Sequence, residues 1–154
     1  MVKSNWFKPY TTNKNGKLVA ALKDCWACAQ SGVYFIRHIQ TKSIVYIGQS
    51  QTQLKKTIYR HFQQWTDKQQ STNRNFDRKT YPKTGYYEIR FIKCTAAQAM
   101  RLESYLILKN NPKDNELKYS NLTTAQKNSG KNTHIDFMAC STLPKYEYLE
   151  IEPF

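Results

Sequence analysis

One carboxylate in this chain stands where a carboxylate is costly. In Leu102-Glu103-Ser104-Tyr105-Leu106-Ile107, Glu103 shares a helix face with Ala99, Met100, Leu106 and Ile107. An acid on an apolar stripe must pair with a nearby Arg or Lys, or bind a metal ion. A hard oxygen ligand with open water positions suits Mg²⁺ or Mn²⁺. Two phenols, Tyr34 and Tyr46, sit in apolar runs, where tyrosines ordinarily serve packing. A phenol, with an ordinary pKa of about 10, takes a proton near neutral pH only if cationic neighbours lower that value. His61, beside Phe62 and Trp65, reads either as a core histidine or as a titrating group at a phosphate.

The elements that must position these groups follow from periodicity. Gly32 to Ile39 is rich in β-branched and aromatic residues and predicts a strand. After the polar break Gln40-Thr41-Lys42-Ser43, Ile44 to Gly48 predicts a second strand, paired with the first as an antiparallel hairpin. Leu54, Ile58, Phe62 and Trp65 form one stripe of a helix over residues 53–65. Tyr86 to Cys94 predicts a third strand. Thr95-Ala96-Ala97-Gln98 reads as a capping box opening the Glu103 helix, which runs to about Lys109 and stops before Asn110-Asn111-Pro112. Residues 1–15 read as an arm, 17–29 as a short helix, and Tyr146 to Ile151 as a last strand.

In order and spacing these residues resemble the GIY-YIG nucleases. Gly32-Val33-Tyr34 and Tyr46-Ile47-Gly48 resemble the two naming triplets, with eleven residues between them. A helix carrying His61 follows, then the Glu103 helix, then Pro112-Lys113-Asp114-Asn115, similar to the family's Pro-x-x-Asn. The resemblance spans about residues 31–116. It implies an α/β fold of the α+β type: a small, mainly antiparallel three-stranded sheet flanked by helices. The expected organisation is an arm and short helix over 1–30, a nuclease core over 31–116, and an extension over 117–154 packed on the core. The implied activity is hydrolysis of DNA phosphodiesters with Mg²⁺ (or Mn²⁺) on Glu103. The implied roles are Tyr34 as base, Tyr46 placing water or phosphate, His61 at the phosphate, and Asn115 as an orienting hydrogen-bond group.

Two positions depart from the pattern. Many members carry an Arg one turn before the His, where this chain has Thr57. Arg60 lies three residues on and leans back along the helix, and Lys56 is the other substitute. After the second triplet, where Lys is frequent, stands Gln49. Losing a phosphate clamp costs several kcal/mol in comparable sites, so an inactive DNA-binding module on the same fold is the alternative reading.

Charge agrees with a polyanionic partner. The 154 residues hold 24 Lys+Arg against 11 Asp+Glu, a formal net charge of +13, which double-stranded DNA would relieve. Lys56, Arg74, Arg78, Lys79 and Lys83 are the candidate DNA contacts, four of them in the polar stretch 66–85 with Phe76 and Tyr81; a solvated loop is the other reading. Three acids, Glu147, Glu150 and Glu152, fall in the last eight residues and set the tail apart from DNA. One Cys-x-x-C pair, Cys25 and Cys28, lacks a second pair, which argues against structural zinc. No apolar run is long enough to span a bilayer and the N-terminus lacks a signal-peptide core, so a soluble, cytoplasmic protein with no membrane partner is expected. The compact chain fits a restriction-type or mobile-element enzyme; a palindrome cutter is expected to act as a homodimer.

Overall fold

The structure, a computed structural model, describes residues 2–22, 30–63, 79–115 and 136–137. The hairpin expected around the triplets is present. Strands β4 (Gly32–His38) and β5 (Ile44–Ser50) pair antiparallel, and β6 (Tyr87–Lys93) pairs antiparallel on the other side of β4. Two further strands extend this sheet. β1 (Val2–Lys3) is antiparallel to β6, and β7 (Asp136–Phe137) is parallel to β1, giving the order β5-β4-β6-β1-β7. The segment read as an arm is therefore built into the sheet. Phe7 and Ile89 exchange both backbone hydrogen bonds, at 3.0 and 2.8 Å.

Residues 18–20 correct the expected helix over 17–29. β2 (Tyr10–Thr12) and β3 (Leu18–Ala20) form a separate antiparallel hairpin. Its turn is built by Asn13, whose Oδ1 accepts from the backbone N–H of Asn15 and of Lys17, and by Gly16 at φ +73°. Cross-strand pairing prevails over the helical reading in this segment. Residues 23–29, with Cys25 and Cys28, lie outside the described residues, as do Trp65, the expected strand over 146–151 and the acidic tail.

Helix α1 (Leu54–Tyr59) runs into a 3₁₀ turn (Arg60–Phe62), and Leu54, Ile58 and Phe62 are buried as the stripe required. Helix α2 (Ala96–Asn110) opens with the expected capping box: Thr95 accepts from the Gln98 N–H and the Gln98 side chain accepts from the Thr95 N–H. It ends with Asn111 in the left-handed region, before Pro112.

Strand alternation sorts the core into two faces. Tyr34, Ile36, Ile89 and Phe91 pack with α1 and the 3₁₀ turn; Val33, Phe35, Ile47 and Ile92 pack with α2. A bulge opposite Ile36 and Arg37 resets the phase of β5. Ile44 consequently faces α2, while Val45 and Tyr46 both face α1. No helix among the described residues is long and apolar enough to cross a membrane.

Candidate active site

The site begins with a glycine. Gly48 is opposite Tyr34 in the β4–β5 register. A Cβ on Gly48 would collide with the Tyr34 hydroxyl end and would lie 2.8 Å from Tyr46 Cε1. The second triplet therefore needs glycine because the phenol of the first lies across it. Gly32 is constrained in the same manner: a Cβ there would strike the Ile92 carbonyl and meet Leu54 Cδ1 at 2.7 Å.

With the strand stripped of bulk, three rings converge. Tyr34 and Tyr46 stack with centroids 6.2 Å apart, and His61 lies 4.6 Å from Tyr46 and 5.5 Å from Tyr34. Tyr34 Oη is 2.7 Å from His61 Nε2, and His61 Nδ1 is 2.7 Å from the Lys79 carbonyl oxygen. A carbonyl only accepts, so Nδ1 carries the proton. In the neutral ring Nε2 is then bare and accepts from the Tyr34 hydroxyl. His61 is fully buried, and its tautomer is set by this backbone contact.

The segment that supplies the carbonyl is itself tied down. The Tyr81 N–H donates to the His61 carbonyl at 2.6 Å, and the Tyr81 hydroxyl donates to Asp114 Oδ2 at 2.7 Å. Burial, then Asp114, pushes the Tyr81 phenol far above its ordinary range, so it stays protonated and donates. Asp114 is held in turn by its N–H on the Val45 carbonyl. Tyr81, read in sequence as an aromatic of a DNA-contacting stretch, is buried against His61, Phe62 and Tyr87. Its role and that of Asp114 had no sequence signal, because a pair 33 residues apart has no period to reveal it.

Asn115 meets the outer edge of β5. Its Oδ1 accepts from the Ile47 N–H at 2.8 Å and its Nδ2 donates to the Ile47 carbonyl at 2.7 Å. One side-chain amide thus takes the place of a neighbouring strand, pinning the middle of the second triplet.

Glu103 is 8 % exposed, among Ala99, Leu102, Leu106 and Ile107 on the inward stripe of α2. Met100, expected on that stripe, is exposed instead. Leu106 and Lys109 border a pocket with Phe35, Ile92 and Arg90 of β4 and β6. Glu103 does not line that pocket. Gln49 follows Ile47 by two residues and therefore also faces the α2 side. Its buried Oε1 has no hydrogen-bond partner. A buried carboxylate and an uncommitted amide oxygen are hard oxygen donors of the kind Mg²⁺ or Mn²⁺ accepts. Among the described residues there is no cluster of three or more His, Cys, Asp or Glu.

Of the cations, Arg60 is half-buried on the 3₁₀ turn beside His61, and Lys56 is exposed one turn earlier. Thr57, at the position of the missing Arg, donates to Ser50 Oγ at 3.0 Å, and Ser50 also accepts from the Gln53 N–H. That position fastens α1 to the end of β5. Lys79 and Lys83 are exposed, Lys83 lying 5.6 Å from the Tyr10 ring centroid. Arg74 and Arg78 lie outside the described residues. No curated protein matches this chain. A family model described as the GIY-YIG catalytic domain matches residues 30–118.

Proposed function

The chain belongs to the GIY-YIG catalytic domain family, a nuclease family, and from that premise we propose that it is an endonuclease hydrolysing phosphodiester bonds of double-stranded DNA. The observation carrying this reading is the Tyr34–His61 contact with the imidazole tautomer set by Lys79. A water beside Tyr34 Oη gives its proton to the phenol oxygen as the phenol passes its own to His61 Nε2. No free phenolate has to accumulate, which removes the main obstacle to a tyrosine base. Tyr46, stacked on Tyr34 and tilted against His61, orients the water or the phosphate. Arg60 supplies positive charge to the phosphate in place of the family Arg.

Glu103 would hold one Mg²⁺ or Mn²⁺, which when bound polarises the phosphate and stabilises the leaving oxygen. The buried carboxylate and the partnerless Gln49 Oε1 support that assignment. Asn115 acts by fixing Ile47 between Tyr46 and Gly48 rather than by touching substrate. The biological setting we favour is a restriction-type or mobile-element enzyme.

The test is digestion of supercoiled plasmid in Mg²⁺ by wild type, Glu103→Ala and Tyr34→Phe. We expect nicked and linear product from wild type, and a loss of about 10²-fold or more from either variant. Glu103→Ala cutting at the wild-type rate would refute the mechanism. A second reading, a DNA-binding module without activity, draws support from Thr57 being engaged with Ser50 where a clamp belongs. It predicts salt-dependent duplex binding and intact plasmid in both Mg²⁺ and Mn²⁺.

A further inference from the structure

His61 can take the Tyr34 proton only while Nε2 is bare, and the neutral ring leaves Nε2 bare only while Nδ1 keeps its own proton. The base therefore depends on the Lys79 carbonyl. If that oxygen drew away from Nδ1, the proton could sit on Nε2, and the imidazole would donate to the Tyr34 oxygen instead of accepting from it.

Lys79 lies in a segment fastened to the histidine at two points. His61 Nδ1 donates to the Lys79 carbonyl at 2.7 Å, and the Tyr81 N–H donates to the His61 carbonyl at 2.6 Å. Residue 61 and segment 79–81 thus bracket each other through side chain and backbone together. The Tyr81 side chain fixes the far end of the bracket. Its ring lies 4.7 Å from Tyr87 and 6.1 Å from Phe62, and its hydroxyl donates to Asp114 Oδ2 at 2.7 Å. Burial and the Asp114 carboxylate push this phenol far above its ordinary range, which keeps the donor proton in place. Asp114 is anchored in turn by its N–H on the Val45 carbonyl at 3.0 Å, one residue before Tyr46, whose ring returns to His61 at 4.6 Å. The contacts form a closed circuit from His61 through segment 79–81 and Asp114 to the second triplet and back.

We propose that Tyr81 and Asp114 are positioning residues for the proton transfer. By holding segment 79–81 against the histidine turn, they keep the Lys79 carbonyl on Nδ1 and so keep His61 in the tautomer that accepts from Tyr34. The carboxylate acts through a tyrosine and a stretch of backbone, whereas in a serine–histidine–aspartate triad it holds the imidazole directly. The catalytic value of this device rests on the nuclease reading above; the tautomer it imposes does not.

The test reads the His61 ring nitrogens by ¹⁵N–¹H correlation in the full chain, at a mildly alkaline pH where imidazole is neutral. The His61 signals are assigned from their loss in His61→Gln. Plasmid cleavage kinetics in Mg²⁺ are measured beside the spectra for wild type, Tyr81→Phe, Asp114→Ala and Asp114→Asn. Wild type should show a protonated Nδ1 and a bare Nε2. Tyr81→Phe keeps the ring and loses only the hydroxyl, and Asp114→Ala removes the acceptor. Both should move His61 toward the Nε2-protonated form. Both should also lower kcat about 10- to 100-fold, the range for partners that orient a histidine, with KM within about twofold. Asp114→Asn keeps an acceptor oxygen, so it should hold the wild-type tautomer and a kcat within about threefold of wild type. Amide spectra of the variants check the fold, because a tie that only packs the loop would cost stability without moving the imidazole proton. The wild-type tautomer in both Tyr81→Phe and Asp114→Ala overturns the proposal, as does a wild-type His61 protonated on Nε2. A tautomer shift in Asp114→Asn equal to that in Asp114→Ala also overturns it. The expected spectra together with intact plasmid in the wild-type reaction would instead remove the nuclease reading and leave the tautomer assignment standing.

Discussion

At the residue scale, the two triplets are one steric unit. Tyr34 can lie across the hairpin only because Gly48 has no side chain. Gly48→Ala is therefore expected to destabilise the fold by about 1–3 kcal/mol, the usual range for overpacking. Tyr34→Phe removes the hydroxyl at the collision and should recover part of the loss in the double variant; denaturant midpoints of the four proteins measure this coupling. If Gly48→Ala is as stable as wild type, the close approach of phenol and glycine is wrong. The imidazole makes a separate prediction. His61→Gln should slow cleavage about 10²-fold or more while leaving duplex affinity within about twofold, since His61 is fully buried. A parallel loss of affinity would point to a phosphate contact instead.

At the element scale, β5 is one edge of the sheet among the described residues, and a loop meets its outer side. Asn115 satisfies both backbone groups of Ile47, and Asp114 satisfies the Val45 carbonyl. Asn115→Ala leaves two backbone groups unpaired, at an expected cost of about 1–3 kcal/mol. It should also accelerate hydrogen exchange at the Ile47 amide by at least tenfold, and unchanged exchange would contradict the strand-edge role. The same loop reaches His61 through Asp114, Tyr81 and the Lys79 carbonyl. The α2 C-terminus, the hairpin and the histidine turn thus depend on one another across the sheet.

At the scale of the whole molecule, charge dominates. If Lys56, Arg60, Lys79 and Lys83 meet duplex phosphates, the slope of log K against log salt contains a contribution of about −0.9 per contact, and each Ala variant should reduce its magnitude by about that amount. Equal slopes for wild type and variants would remove that residue from the interface. Protonation also enters stability. Lys3 releases its proton near pH 8 in the folded protein and at its ordinary value of 10.5 when unfolded. Between these values the unfolded chain holds the extra proton, so folding gains stability as pH rises. Lys3→Met should accordingly exceed wild type in thermal midpoint at pH 7, with the difference closing toward pH 10.5. Cys94 acts in the opposite sense: burial raises its pKa to about 11, so its contribution is lost as pH rises from 9.

The sequence by itself determined the local order of elements. The triplets, the stripe of Leu54, Ile58 and Phe62, and the Thr95–Gln98 box each act over a few residues, where periodicity and capping chemistry decide the outcome. It also singled out Tyr34, Tyr46, His61, Glu103 and Asn115 through a spaced motif. Only tertiary structure decided what those groups touch. The hydroxyl of Tyr34 on His61, the tautomer set by Lys79, the Tyr81–Asp114 tie and the Asn115 clamp on Ile47 join residues 18 to 68 positions apart. Such contacts arise from how the faces of a sheet are covered. The recruitment of β1 into that sheet has the same origin, since an edge strand pairs with whatever chain reaches it and a two-residue strand carries no pattern of its own.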